Sequence, residues 1–136
     1  MASGYTDLMA KKSGYRKSLG AWGETFASNF LQAKGYQLLK RNYHSRYGEV
    51  DLIMIKDGTL TAVEVKTRNS TAYGIAEFSI NRKKFLSIQK TMQVFFESHP
   101  EFSTDWQLDI LVIEKNKDEE PTILHYENVN LEYLND

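Results

Sequence analysis

The chain of 136 residues contains no cysteine, which excludes a disulfide scaffold, a zinc site built on thiolates and cysteine catalysis. No run of 18 apolar residues occurs, so we expect no membrane-spanning helix and no membrane partner. The N-terminal residues lack the apolar stretch of a signal peptide, and we therefore expect a cytoplasmic location. The three histidines are scattered and have no metal-ligand spacing, so they do not predict a His-rich metal site.

The net charge of −1 conceals an uneven distribution along the chain. Residues 1–46 carry eight basic and two acidic side chains, whereas residues 114–136 carry seven acids and two lysines. A basic body with an acidic end can contact a polyanion locally. Because the pI is near 6.3, an ordinary mixed surface fits the charge equally well.

The apolar pattern predicts a single domain with the element order α-β-β-β-α-β-β. Apolar residues recur at intervals of three and four over residues 17–34 and 81–98, which indicates two amphipathic helices. Strand patterns cover residues 36–43, 49–56, 59–67, 106–114 and 122–126. This order predicts an α/β fold with a mixed sheet flanked by helices. We place the domain at residues 17–126, after a flexible basic lead-in (1–16) and before an acidic C-terminal tail (127–136).

Charged residues interrupt two of the apolar strands. Side chains alternate between faces along a strand, so Glu49 and Asp51 share a face, and so do Glu64 and Lys66. Asp57-Gly58 is typical of a tight hairpin turn, and counting outwards from it places Asp51 opposite Glu64. Glu49 then opposes Lys66. Three acids and one lysine would therefore form one patch.

Such a patch is unfavourable without a partner, because close carboxylates repel one another and apolar neighbours increase the cost of desolvation. A divalent cation removes this conflict, since Mg²⁺ is usually bound by carboxylates together with water and substrate phosphate. A lysine beside the cation is well placed to orient water or to stabilise charge on a phosphate. The alternative is a cross-strand salt-bridge ladder, in which Glu49 pairs with Lys66 and Asp51 points to solvent.

The spacing of Asp51 and Glu64-Val65-Lys66 resembles the PD-(D/E)XK pattern of restriction-endonuclease-like nucleases. The chain is similar in particular to the small bacterial YraN family, whose members are related to archaeal Holliday-junction resolvases. The motifs that carry this resemblance are Leu19-Gly20, Gly23-Glu24, Arg41-Asn42-Tyr43, residues 48–53 and residues 63–68.

The resemblance implies a nuclease-like domain with a restriction-endonuclease-like core that hydrolyses phosphodiester bonds in DNA, branched or damaged DNA in repair or recombination included. It implies that Asp51 and Glu64 hold Mg²⁺ or Mn²⁺ with the help of the Val65 carbonyl. Lys66 would position or activate the attacking water, and Glu24 would reach the same site as a further acid. DNA would be the partner, and a homodimer is a further expectation because nucleases of this type often pair to cut two strands.

Two positions weaken or qualify the resemblance. The later strand of the family usually reads Arg-Phe-Asp, whereas this chain has Gln107-Leu108-Asp109, which removes a cation that could contact phosphate. Glu24, near the start of the predicted helix, also fits a simple favourable interaction with the helix dipole.

Basic and aromatic side chains near the motif are candidates for contacts with nucleic acid. Arg82, Lys83 and Lys84 open the second helix, where cations oppose the helix dipole, and this favours a phosphate-binding role. The other candidates are Arg68, Arg46 and Tyr43. A solvated strand or helix end, or a half-buried tyrosine, is the alternative interpretation of these positions.

Three functions are compatible with these residues. The first is a metal-dependent DNA endonuclease. The second is a non-catalytic DNA- or protein-binding adaptor that keeps the nuclease-like fold, which the low net charge and Gln107 favour. The third is a metal-dependent phosphodiesterase that acts on a small nucleotide.

Overall fold

A computed structural model of the chain describes residues 3–69 and 80–130, and every structural statement below refers to these residues. The elements are α1 (Ser3–Ala33), β1 (Gln37–Ser45), β2 (Gly48–Lys56), β3 (Thr59–Asn69), α2 (Arg82–Ser98), β4 (Trp106–Lys115) and β5 (Thr122–Tyr126). This is the predicted order, and it confirms the α/β class. No helix within the described ranges is long and apolar enough to cross a membrane.

The five strands form one mixed sheet in the order β1-β2-β3-β4-β5. Neighbouring strands are antiparallel except β3 and β4, which are parallel because α2 carries the chain back between them. The hairpin between β2 and β3 turns at Asp57 and Gly58, both with positive φ, as the sequence predicts for a tight two-residue turn.

The two helices cover opposite faces of the sheet and define two apolar clusters. On one face, Ile88, Met92 and Phe95 of α2 pack with sheet residues that include Val50 and Ile53. On the other face, α1 packs with sheet residues in a cluster that contains Ala27, Leu31, Leu52, Met54, Val63, Leu111 and Ile113. The sheet is therefore the middle layer of three, and both of its faces are buried.

The observed boundaries differ from the predicted ones mainly at the N-terminus. The predicted start of the first helix at Lys17 is wrong, because α1 begins at Ser3. The apolar period covers residues of the helix that pack on the sheet, whereas the helical backbone already begins at Ser3. Asn81 caps α2 by accepting a 2.8 Å hydrogen bond from the Lys84 backbone N–H, as expected for a helix that starts at this point. The predicted polar loop lies outside the described residues from 70 to 79, and so does the end of the acidic tail from 131.

Candidate metal centre

The candidate site lies where β2 and β3 separate. Their antiparallel ladder follows the predicted register from Lys56 and Thr59 but ends at Leu52 and Val63. The predicted direct opposition of Asp51 and Glu64 is therefore wrong. Instead, Asp51 Oδ2 accepts a 2.8 Å hydrogen bond from the backbone N–H of Val65. The carboxylate takes the place of a strand carbonyl and links the two strands beyond the end of their ladder.

Side chains of both helices reach the acids of the predicted patch. Val50 packs on the α2 face although Leu52, two residues later, packs on the α1 face, so the alternation of β2 is broken at Asp51. Glu49 and Asp51 consequently approach Glu24 of α1. Glu64 contacts Lys84 of α2, and its charge also acts on Asp51 and Glu49.

A close approach between α1 and β3 brings Glu24 to the site. A Cβ atom added at Gly23 would overlap the Thr67 hydroxyl and lie 2.8 Å from Thr67 Cβ, so only glycine fits at this crossing. Gly20 has no such neighbour within 4 Å among the described residues. The close approach of β3 to α1 therefore occurs at Gly23. Glu24 follows Gly23 directly and reaches the strands through this contact.

Arg41 of β1 fixes the same turn of α1. Its guanidinium donates 2.9 Å hydrogen bonds to Thr25 Oγ1 and to the carbonyl of Ala21, and its Nε lies 3.5 Å from Glu24 Oε1. Three contacts from one side chain therefore attach the helix to the sheet and orient the Glu24 carboxylate. The Arg41-Asn42-Tyr43 motif thus has a structural role beside the site.

Glu24, Glu49 and Asp51 form a cluster of acids. Each offers a carboxylate oxygen, and these oxygens all lie within 4.8 Å of one another. Burial, and then the nearby charge of Glu64, raises the pKa of Asp51 from 3.8 to about 7, although the hydrogen bond from Val65 acts in the opposite direction. Asp51 thus binds a proton readily when no cation is present.

Glu64 is the most deeply buried acid of the site. Its side chain is only 6% exposed, and Oε2 has no hydrogen-bond partner among the described residues. Burial raises the pKa of Glu64, while the cations of Lys84 and Lys66 lower it. Lys66 Nζ lies 3.6 Å from Glu64 Oε1, and Lys84 Nζ lies 3.8 Å from Oε2. The carboxylate is therefore held between two lysines on different elements.

These residues fit a divalent cation. A buried carboxylate oxygen without a hydrogen bond is rare in proteins and calls for an explanation, and an ion is one of the usual ones. Converging carboxylates supply the hard oxygen ligands that Mg²⁺ and Mn²⁺ prefer. Cation binding would also relieve the repulsion that raises the pKa of Asp51.

The structure places the other predicted nucleic-acid residues in three kinds of surroundings. Arg68 forms a half-buried ion pair with Glu114 on the neighbouring strand. Tyr43 packs edge-on against Phe95, with ring centroids 5.4 Å apart, and belongs to the α2-side core. Arg46, Arg82 and Lys83 are exposed around the start of α2. A role of these residues in DNA contact stays a prediction.

A second group of potential ligands lies away from this site. Ligand atoms of Asp109, His125 and Glu127 lie within 4.8 Å of one another. The fully buried Asp109 is already satisfied, because it accepts hydrogen bonds from His125 Nε2, Gln107 Nε2 and the Asn128 backbone at 2.7–3.0 Å. Gln107, at the position where the family usually has arginine, thus hydrogen-bonds to the buried Asp109. We interpret this group as a hydrogen-bonded support for the β4–β5 end of the sheet.

The predictions from sequence miss two members of the site. They assign Glu49 to the acidic patch but not to the ligands, and the structure places it in the acid cluster. They assign Lys84 to DNA contact, and its ammonium lies beside Glu64. The strand alternation already indicates Glu49, whereas the position of Lys84 depends on how α2 crosses the sheet.

The fold and the site define a class: a small mixed α/β protein with acids and lysines at the point where two central strands separate. The model of the uncharacterised protein family UPF0102 matches residues 23–113 of this chain. A UPF0102 protein of Syntrophomonas wolfei is 40% identical over 71% of this chain and 84% of its own. Those of Herpetosiphon aurantiacus and Persephonella marina are 35% and 37% identical, over 86% and 84% of this chain and 97% and 95% of their own. The chain belongs to the UPF0102 family, which is the YraN family, and this confirms the resemblance.

Proposed function

We propose that the protein is a metal-dependent endonuclease that hydrolyses phosphodiester bonds in DNA. One observation carries the proposal: the buried Glu64 oxygen that no described residue hydrogen-bonds lies between two lysines and close enough to Asp51 to raise its pKa. The ion pairs of Glu64 with Lys66 and Lys84 do not give this oxygen a hydrogen bond. Burial and mutual repulsion disfavour the ionised form of these acids, and a cluster of this kind is suited to binding a cation.

The ligands we assign to Mg²⁺ or Mn²⁺ are Asp51, Glu64 and Glu24, and we add Glu49 because its carboxylate lies in the same acid cluster. The Val65 carbonyl remains a proposed ligand from the family resemblance. A bound cation would supply Lewis-acid stabilisation of charge on the phosphate and would lower the pKa of a bound water.

The side chains of this chain would divide the remaining work. Lys66 is half-exposed and ion-paired to Glu64, so its ammonium can reach a water molecule next to the phosphate and orient it for attack. Lys84 approaches from α2 and can offset charge that develops on the phosphate oxygens. Arg41 and the Val65 N–H position the acids but would not touch the substrate.

An adaptor without catalytic activity is the second candidate. Gln107 favours it, because its amide hydrogen-bonds to Asp109 inside the chain, where the family usually offers an arginine. An adaptor needs the fold and a basic surface but not the acid cluster. Its binding of DNA would therefore be unaffected when Asp51 is changed.

The test is cleavage of labelled branched, duplex and single-stranded DNA with Mn²⁺ or Mg²⁺. Asp51→Asn and Lys66→Ala should each abolish cleavage while the circular dichroism spectrum stays unchanged. The matched controls are Asp118→Asn and Lys117→Ala in the exposed turn between β4 and β5, which should cleave like the wild type. Cleavage that persists in Asp51→Asn, or none of any substrate by the wild type, would refute the endonuclease. Metal-free binding of DNA without cleavage would then favour the adaptor.

A further inference from the structure

A cationic groove borders the proposed metal centre. It lies between the β1–β2 turn and α2 and has a volume of about 510 Å³. The residues that line it are Tyr47, Arg82, Lys83, Leu86, Ser87 and Lys90, and none of them is acidic. Its walls are an aromatic ring, an isobutyl group and the alkyl stems of basic side chains. The groove therefore offers apolar surface with positive charge at its edge.

The turn that forms one wall is fixed to the helix that forms the other. Ser87 Oγ donates a 2.6 Å hydrogen bond to the carbonyl of Tyr47. A Cβ atom added at Gly48 would overlap Ser87 Oγ, so the turn approaches α2 as closely as glycine permits. The groove is consequently preorganised, and a ligand would not have to order its walls.

Two cationic side chains lie close to the Tyr47 ring. The Arg46 guanidinium lies 4.8 Å from the ring centroid and also donates a 2.6 Å hydrogen bond to the Tyr47 hydroxyl. Lys90 Nζ lies 5.5 Å from the same centroid. Tyr47 and Leu86 are each 38% exposed, so both present apolar surface to solvent. An anion with a flat apolar body matches this arrangement, and a nucleotide is such a ligand.

The groove and the metal centre share two chain segments. Tyr47 lines the groove, and Glu49, two residues later, belongs to the acid cluster. Lys83 lines the groove, and the next residue, Lys84, contacts Glu64. A strand in the groove would therefore place a neighbouring phosphate near the acids.

We propose that this groove binds an unpaired nucleotide of the DNA substrate, so that the substrate class is DNA with a single-stranded segment next to the cleaved bond. The proposal rests on the proposed function. A base stacks on a tyrosine or packs against leucine only when its face is free, and bases within a duplex are stacked on each other. The groove volume is in the range of pockets for small ligands, which suits a single nucleotide and not a duplex.

Binding in the absence of metal tests the groove separately from cleavage. Fluorescence anisotropy in EDTA would compare a labelled duplex that carries a short oligothymidine overhang with the same duplex made blunt. We expect the wild type to prefer the overhang by about tenfold, a typical effect of stacking one base. Tyr47→Ala should remove this preference, and Tyr47→Phe, which keeps the ring, should retain it.

Two lysine variants distinguish a phosphate contact in the groove from the general effect of removing a surface charge. Lys90→Ala should weaken binding of the overhang and flatten its salt dependence, because a phosphate contact releases counterions. Lys117→Ala, an exposed lysine in the β4–β5 turn, should change neither. Thermal melting would verify that each variant is folded.

The outcomes distinguish the two proposals. Equal affinity of the wild type for overhang and blunt duplex, or an unchanged preference in folded Tyr47→Ala, overturns the groove proposal even if Asp51-dependent cleavage is found. Overhang binding that depends on Tyr47, together with no metal-dependent cleavage of the same DNA, supports the groove and overturns the endonuclease.

Discussion

The backbone N–H of Val65 donates its hydrogen bond to the side chain of Asp51, where the ladder between β2 and β3 has already ended. This bond connects the two strands at the place where the acids lie. It also fixes the Asp51 carboxylate with one oxygen bonded, which leaves the other oxygen to a further ligand. The same bond thus serves both the fold and the proposed metal centre.

Asp51→Asn should stabilise the metal-free protein at neutral and basic pH. The folded state raises the pKa of Asp51 from 3.8 to about 7, so between these values the folded protein keeps a proton that the unfolded chain has lost. The free energy of unfolding therefore falls as pH rises through this window, and the asparagine variant does not have this loss. We expect it to exceed the wild type by on the order of 2–4 kcal/mol at pH 8.

Urea unfolding in EDTA at acidic and basic pH would measure this difference. The asparagine side chain of the variant can still accept the Val65 hydrogen bond through its amide oxygen, so the variant isolates the charge. Asp118→Asn, in an exposed turn, is the control and should follow the wild type. A wild type that is as stable as Asp51→Asn at both pH values would contradict the raised pKa.

Divalent cations should stabilise the wild type against heat. A ligand at about 100 times its dissociation constant adds about 2.7 kcal/mol to the stability of the state that binds it, or roughly 5–10 °C for a domain of this size. Asp51→Asn should gain much less from Mg²⁺ or Mn²⁺. Differential scanning fluorimetry across metal concentrations would record both. An equal gain in wild type and variant would place the ion elsewhere, and His125→Gln would then test the Asp109 group.

Gly23→Ala should destabilise the protein by about 1–3 kcal/mol, because its methyl group would overlap Thr67 and push α1 away from β3. Gly20→Ala is the matched control on the same helix. Its methyl group meets no atom of the described residues within 4 Å, and alanine should gain about 0.5–1 kcal/mol from its higher helix propensity. Chemical denaturation would measure both, and losses of equal size would show that the contact with Thr67 does not matter.

Arg41→Met should lower the metal affinity by about tenfold, since outer partners of metal ligands typically contribute about 10–100-fold. The variant loses the ion pair with Glu24 and both hydrogen bonds to α1. Lys40→Met removes an exposed cation from the adjacent position of β1 and should bind metal like the wild type. Isothermal titration with Mn²⁺ gives both affinities. A normal affinity in Arg41→Met would exclude a positioning role.

Local patterns are sufficient to predict most of the fold. The turn at Asp57-Gly58 and the apolar runs beside it determine β2 and β3 almost to the residue, because a two-residue turn fixes the register that follows. The start of α1 at Ser3 cannot be predicted in this way, because its N-terminal part lacks the apolar period that marks a packed helix.

The site is predictable in its residue types but not in its geometry. Acids that interrupt apolar strands predict a cation site, and Glu24 and Asp51 lie together in the acid cluster. The break in the ladder after Leu52 depends on a side-chain to backbone bond, which strand periodicity does not describe. The contact of Lys84 with Glu64 depends on the tertiary packing of α2. Such a contact cannot be predicted by counting residue pairs along a hairpin.

The acids of the site come from two separate parts of the fold, because Glu24 lies on α1. Glu49, Asp51 and Glu64 belong to one hairpin, whose local contacts form readily during folding. Docking of α1 brings the Glu24 carboxylate to acids that already repel one another, so in the metal-free protein this contact works against electrostatics. A bound cation would make the electrostatic contribution to this docking favourable. The amides of α1 should therefore exchange with deuterium faster in EDTA than in Mn²⁺, while those of the hairpin change little.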